Sequence, residues 1–177
     1  MIRYVIFTGA SLSGKSTAAS FLRLTLAGRG LKVSRDSFEM PMRHYLCMLL
    51  GLKSNSVEMD APISLLLSKT ARDFVLREAA HMRFSYGPGV LGKLLDARSR
   101  SNRGDNQFVI VDDGSSITDI QGLESYFLVR IERSKVERVY PFVIPNPDMV
   151  VLNDRDVKHL QEKMREVADV LVETLDV

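Results

Sequence analysis

The segment Gly9-Ala10-Ser11-Leu12-Ser13-Gly14-Lys15-Ser16 constrains this chain more than any other. It fits G-x-x-x-x-G-K-[ST] without a mismatch. Before it runs Tyr4-Val5-Ile6-Phe7, a continuous apolar stretch of the kind buried on both faces of a parallel sheet. After it, from Lys15 to Leu26, apolar residues recur at helical spacing until Gly28 and Gly30 stop the helix. Strand, glycine-bearing turn and helix in that order make an anion cradle. The glycines let the chain curl so that successive backbone N–H groups point inward, and the positive end of the helix faces the same spot. Lys15 is placed to reach the β and γ phosphates of a nucleoside triphosphate, and the Ser16 hydroxyl to take a position on Mg²⁺. Gly9, Ser11, Ser13, Gly14, Lys15, Ser16 and Thr17 are the triphosphate-binding residues of this reading.

A second strand signal supplies the other half of such a site. Phe108-Val109-Ile110-Val111 is continuously apolar and ends in Asp112-Asp113-Gly114. In enzymes built on a phosphate loop, an acid ending such a strand holds Mg²⁺, usually through water. Asp112 ends the apolar run directly and is preferred to Asp113, so the expected metal ligands are Ser16 and Asp112. Further strands are expected at Leu31–Arg35, Tyr126–Ile131 and Met149–Leu152. Helices are expected at Arg43–Leu52, at Ile63–Phe84 as one long helix with Pro62 in its first turn, at Val90–Ala97, at Ile117–Leu123 and at Arg155–Leu175. Ser99 to Gln107 reads as a polar loop, and 132–148 as an irregular, proline-rich segment. About five strands alternating with helices give an α/β, three-layer domain with a mostly parallel sheet, covering 1–177 without a linker or repeat.

Composition narrows the partners. The 24 basic and 22 acidic side chains leave a net charge of +2, which argues against a dedicated duplex-DNA binder. Arg98, Arg100 and Arg103 have no aromatic residues interleaved and read as a solvated loop rather than a nucleic-acid surface. His44, His81 and His159 match no metal spacing. The single cysteine, Cys47, lies in an apolar helical stretch and reads as a small buried hydrophobe, suited to a reducing compartment. No apolar run approaches the ~20 residues of a membrane span and no signal peptide is apparent, so no membrane partner is expected and the cytoplasm is the expected location. A monomer or a homodimer fits the balanced charge.

Beyond these local signals, the order of features resembles the deoxynucleoside monophosphate kinases of bacteriophages and their nucleoside monophosphate kinase relatives. Ser37-Phe38-Glu39-Met40-Pro41-Met42-Arg43 is similar to that family's F-x-x-P-[LM]-[KR] segment, and Tyr86-Gly87-Pro88-Gly89-Val90 to a later one. Val109 to Asp113 matches its metal-binding strand, and Asn153-Asp154 with Leu160 resembles its N-D-x-x-x-x-L ending. The resemblance implies ATP-dependent phosphoryl transfer to a (deoxy)nucleoside monophosphate, with Mg²⁺, in the cytoplasm of the cell or of a phage host. It implies an acceptor-binding helical region at 38–97 and a short lid at 133–148. Arg72 would grip the monophosphate, Arg133 with Arg138 would close over the transferring group, and Asn153 would join the nucleotide-binding residues.

Three departures keep other readings open. The family's D-x-R-x-x-N-E has no arginine here, where the chain reads Asp112-Asp113-Gly114-Ser115-Ser116; tryptophan is absent; and 133–148 is short for a lid. The alternatives are a kinase of another small metabolite, such as dephospho-coenzyme A, and a nucleotide-binding regulatory protein with weakened catalysis. A phosphate acceptor needs no general base, whereas a hydroxyl acceptor does, and Asp36 at the end of the second strand is the candidate.

Overall fold

The computed structural model describes residues 3–53, 56–66, 69–101, 108–114, 116–134 and 144–174. The chain runs β1 (Arg3–Thr8), α1 (Lys15–Gly28), β2 (Val33–Asp36), α2 (Met40–Leu49), β3 (Pro62–Ile63), β4 (Lys69–Thr70), α3 (Ala71–Tyr86), α4 (Val90–Ser101), β5 (Phe108–Val111), α5 (Ile117–Ile120), β6 (Tyr126–Glu132), β7 (Met149–Leu152) and α6 (Val157–Glu173). Five strands form one sheet in the order β2-β5-β1-β6-β7, and every pairing in it is parallel. The α/β fold with a parallel five-stranded sheet is therefore as the sequence pattern implies.

The alternation of side chains along each strand sorts the core into two layers. Val5, Phe7, Phe108, Ile110 and Val129 face α1 and α6, where Leu22, Leu26 and Met164 meet them. Tyr4, Ile6, Val109, Val111 and Leu128 face the opposite way, toward Leu46, Phe74 and Leu91 of α2, α3 and α4. Successive residues of a strand point to opposite faces, so an uninterrupted apolar run is what a doubly covered sheet demands. Cys47, on α2, is buried as expected.

Sheet order places the crevice. The chain leaves β1 for β2 in one direction along the sheet and leaves β5 for β6 in the other, so the direction of the connections reverses at the neighbours β1 and β5. In open parallel sheets a ligand crevice opens beyond the carboxyl ends of strands at such a point. Gly9 follows β1 and Asp112 follows β5, and both stand at its mouth.

One expected helix is corrected. Ile63–Phe84 is not a single helix: Pro62–Ile63 pairs antiparallel with Lys69–Thr70, a short 3-10 turn spans Ser64–Leu66, and α3 starts only at Ala71. Thr70 accepts from the Asp73 N–H while the Asp73 carboxylate accepts from the Thr70 N–H, a reciprocal cap that fixes the start. The helix at 43–52 begins and ends earlier, as Met40–Leu49. Arg98 and Arg100, expected in a loop, belong to α4, which extends to Ser101. The remainder of that expected loop, 102–107 with Arg103, and most of the expected lid, 135–143 with Arg138, lie outside the described residues. Among the described residues, no helix is long and apolar enough to cross a membrane.

Candidate functional site: a phosphate cradle and an adjoining cavity

The loop between β1 and α1 is tied tightly into the molecule. Gly14 precedes the helix at φ 101, a left-handed conformation that side-chain-bearing residues adopt at a cost, and it offers no side chain to cap the first N–H groups. No acidic residue occupies the first turn of α1 either, so the helix dipole is left for an outside anion. The loop cannot swell: a Cβ on Gly9 would stand 2.2 Å from the Ile131 carbonyl oxygen, and one on Gly14 2.4 Å from Asn153 Nδ2. Asn153 donates from Nδ2 to the Ser13 carbonyl at 2.7 Å, and its own N–H reaches the Glu132 carbonyl at 2.7 Å. It thus meets the loop as a brace from the connection between β7 and α6. Leu12, at the loop's tip, takes φ 61 and is 84% exposed, while Ser11, Ser16 and Thr17 are exposed to the crevice side or to solvent.

Lys15 folds back on this loop. Its Nζ donates to the carbonyls of Gly9 (2.8 Å) and Ala10 (2.7 Å). Burial pushes the ammonium below its ordinary pKa, and the charge of Asp112 opposes that shift. Asp112 is therefore close enough to be felt by Lys15, and it also accepts an ion-paired hydrogen bond from Arg35. One exposed serine hydroxyl, one carboxylate and a phosphate cradle suit Mg²⁺, which takes few protein ligands and completes its shell with phosphate oxygens and water. Among the described residues, no group of three or more His, Cys, Asp or Glu side chains offers a fuller cage.

Asp113 does a different job. Its carboxylate accepts from Ser37 Oγ (2.7 Å), the Phe38 N–H (3.1 Å) and the Glu39 N–H (3.1 Å). It pins the turn between β2 and α2 to the end of β5. Loss of water around it, then the neighbouring Glu39 carboxylate, push its pKa up to about 6 against those three donors.

Beside the cradle, that turn and α2 wall a cavity of about 270 Å³. Met40, Leu46, Cys47, Val57 and Met59 give it an apolar lining, and Arg35, Arg43, Asp36 and Asp112 its charge. Each acid here is matched. Arg43 pairs with Glu39 at 3.1 Å, and Arg98 reaches both Asp36 (3.1 Å) and the Ser37 carbonyl (2.9 Å). The Arg43 Nε is buried and meets no hydrogen-bond partner among the described residues. Asp36, the candidate base, stands in this wall but is engaged by Arg98 and by the Ser37 N–H.

The arginine nominated for the acceptor is placed elsewhere. Arg72 sits in the first turn of α3 and turns its fork to Asp60, at 2.6 and 3.1 Å, in an exposed pair. It touches the cavity only indirectly, since its N–H donates to Met59. Arg133 is exposed at the end of β6, and the adjoining Ser134 N–H is held by Asp154 at 2.7 Å. Sequence reasoning missed Arg35 and Arg98. Arg43 lay within the F-x-x-P-M-R segment, but nothing local marks which arginine a cavity will use.

No family model and no curated protein matches the sequence. Solved structures share the fold. The APS kinase of Mycobacterium tuberculosis, in complex with AMPPNP and APS, superposes with a TM-score of 0.54 at 19% identity, covering 96% of each chain. The cobyrinic acid a,c-diamide synthase of Mycobacterium smegmatis, with a bound ATP analogue and magnesium, gives 0.51 at 16% identity over 96% of this chain and 82% of that one. The chain thus shares its α/β fold with a kinase and a synthase of differing chemistry.

Proposed function

We propose that the chain transfers the γ-phosphoryl group of ATP to the phosphate of a nucleoside or deoxynucleoside monophosphate. The observation that carries this reading is the cavity at the ends of β2 and β5, next to the cradle, with two arginines over an apolar floor. A guanidinium fork suits an anionic oxygen triangle, and an apolar floor suits the flat face of a base. At about 270 Å³ the cavity sits just below the ~300–1,000 Å³ usual for small-molecule sites. The solved kinase with both a nucleotide analogue and APS bound supports two nucleotide ligands on one such fold.

In this reading the backbone N–H groups from Ser11 to Thr17 hold the triphosphate, and Lys15 leaves the Gly9 and Ala10 carbonyls for its β and γ oxygens. Ser16 and Asp112 would hold Mg²⁺, which neutralises charge on the transferring phosphate. Arg43 and Arg35 take the acceptor's phosphate, with Arg72 at the rim. Arg133, with Arg138 in the segment 133–148, closes over the transferring group, and 38–97 forms the acceptor side of a single domain. Asn153 serves by keeping the cradle closed. The acceptor phosphate is already an anion near neutral pH, so catalysis is positioning and charge neutralisation, without a base.

Asp36 motivates a second reading, a hydroxyl acceptor such as that of dephospho-coenzyme A, because the carboxylate lines the cavity. Its engagement by Arg98 and the Ser37 N–H leaves less of it for proton abstraction. A third reading, a regulator that binds nucleotide without turnover, draws on the missing arginine after Asp113. Incubation with Mg·ATP and a panel of nucleoside monophosphates, with dephospho-coenzyme A alongside, separates the three. Diphosphate formation is the expected result. Turnover of dephospho-coenzyme A alone would sink the monophosphate reading, and ATP binding with no turnover would favour the regulator.

A further inference from the structure

Asp112 stands between two cations that belong to different halves of the site. On one side its charge reaches Lys15 in the cradle. On the other it is paired with Arg35, which comes from the neighbouring edge strand β2 and lines the acceptor cavity. Among the described residues, the charged side chains lining the cavity are Arg35, Arg43, Asp36 and Asp112, two positive and two negative, so these side chains together carry no net charge to attract an anion. Asp36 is held by Arg98 from outside this set, and Arg43 by Glu39. Arg35 is the cation whose release depends on what happens in the cradle. Its side chain is 41% exposed, against 14% for Asp112, so the guanidinium has room to turn while the carboxylate stays.

We propose that Arg35 is an acceptor-binding residue that Asp112 keeps engaged until the donor site is loaded, so that Mg²⁺ and nucleotide in the cradle raise the affinity of the neighbouring cavity for a monophosphate. The inference rests on the phosphoryl-transfer reading above. When Asp112 is drawn to the loaded cradle, the ion pair with Arg35 weakens. The wall then carries an uncompensated positive charge, and Arg35 joins Arg43 on the acceptor's phosphate. Coupling of this kind is reciprocal, so a bound monophosphate also tightens the hold on nucleotide. An acceptor arriving first meets a neutral wall, which favours loading of the donor before the acceptor.

The test is calorimetric titration of AMP, CMP, GMP, UMP, dAMP, dCMP, dGMP and dTMP into the whole chain, without donor nucleotide and with saturating Mg·AMPPNP, which cannot transfer its terminal group. In the wild-type protein the affinity for whichever monophosphate binds is expected to rise roughly tenfold on loading, within the range usual for coupled sites. Arg35→Met is expected to bind the monophosphate weakly in both states and to lose the difference. Arg35→Lys keeps the charge without the fork and is expected to recover part of it. Asp112→Asn cannot hold the guanidinium as an ion pair, so its affinity without nucleotide is expected to rise toward the loaded wild-type value. Thermal melts check that each variant is folded. Equal monophosphate affinity in both states of the wild type, or an Arg35→Met protein that keeps the tenfold rise, overturns the coupling and leaves the acceptor reading standing. Failure of all eight monophosphates to bind in either state overturns the acceptor reading itself.

Discussion

Lys15 gives its ammonium to two carbonyls of its own loop, an arrangement that satisfies a half-buried cation and holds the loop's shape. On the proposed function, removing the amine subtracts from phosphate binding more than from the fold. Lys15→Ala is expected to cut turnover at least ~10²-fold, the usual loss for a preorganised charge at the transition state, with the melting temperature little changed; near-normal rates in a coupled kinase assay would remove Lys15 from the mechanism. The two candidate acceptor arginines can be ranked in the same assay. Arg43 lines the cavity, so Arg43→Ala is expected to raise the acceptor KM about tenfold or more, since a hydrogen bond to a charged group is worth ~1.5–3 kcal/mol. Arg72 faces Asp60 in solvent, where ion pairs contribute ~0–1 kcal/mol, so Arg72→Ala is expected to change KM less than about threefold. The reverse order would return the acceptor role to Arg72. Of this residue-scale picture, the glycines, Lys15 and Ser16 were legible because eight consecutive positions carry the whole requirement. Arg35 and Arg98 were not, because their partners lie 77 and 62 residues away and no local spacing encodes such a pairing.

Elements are joined here by charge as well as by packing. Arg83, near the end of α3, makes a bidentate bridge to Asp119 of α5 at 2.8 and 2.7 Å, and the Asp119 side chain is 2% exposed. It ties α3 to the connection from β5 to β6. Arg83→Ala strands a buried carboxylate and is expected to lower stability by ~3 kcal/mol, read from urea unfolding. Arg83→Lys is expected to recover little of it, because one ammonium cannot replace the fork; a loss below about 1 kcal/mol for the alanine variant would show that water compensates Asp119. Asp113 makes the comparable tie between β5 and the turn before α2, with a pH signature. Its pKa is raised, so the native state binds this proton more tightly than the unfolded chain does. Its contribution to stability is therefore greatest below the unfolded value of 3.8 and falls as pH rises through about 6. Asp113→Asn removes that contribution, so the variant's deficit relative to wild type is expected to be larger at pH 4.5 than at pH 7.5. The shift from 3.8 to about 6 sets a ceiling of ~3 kcal/mol on the difference, and the remaining contact of Asp113 with water brings it nearer 1–2. A deficit independent of pH would mean that the carboxylate keeps its ordinary value. Element boundaries were the least legible level. Ile63 to Phe84 carries enough helical spacing to suggest one helix, and only the reciprocal cap between Thr70 and Asp73 shows where α3 begins. That cap is a four-residue signal, easily hidden inside a longer periodic stretch.

At the scale of the whole molecule, one sheet serves both core layers and both halves of the site. The strands were readable because burial on two faces forces apolar side chains at every position, as in Val5-Ile6-Phe7 and Phe108-Val109-Ile110-Val111. The cavity was not, because it is assembled from β2, α2, the 56–59 stretch and the end of β5, segments that meet only after the sheet has ordered them. The same architecture makes a global prediction. The cradle is braced by Asn153 between β7 and α6 and by the Ile131 backbone, and Asp112 hangs from β5, so a ligand there contacts the centre of the sheet rather than one flank. A ligand that binds only the folded state stabilises it by RT ln(1 + [L]/Kd), ~2.7 kcal/mol at one hundred times Kd. For a domain of this size that corresponds to a rise of roughly 5–10 °C in melting temperature. Mg·AMPPNP at that excess is expected to produce such a rise as one cooperative transition, with both layers melting together. Lys15→Ala is expected to abolish most of it at the same ligand concentration. A transition that splits on ligand addition, with only part of the helical signal moving up, would show that the α2–α4 layer unfolds independently of the cradle and would contradict the shared-sheet account.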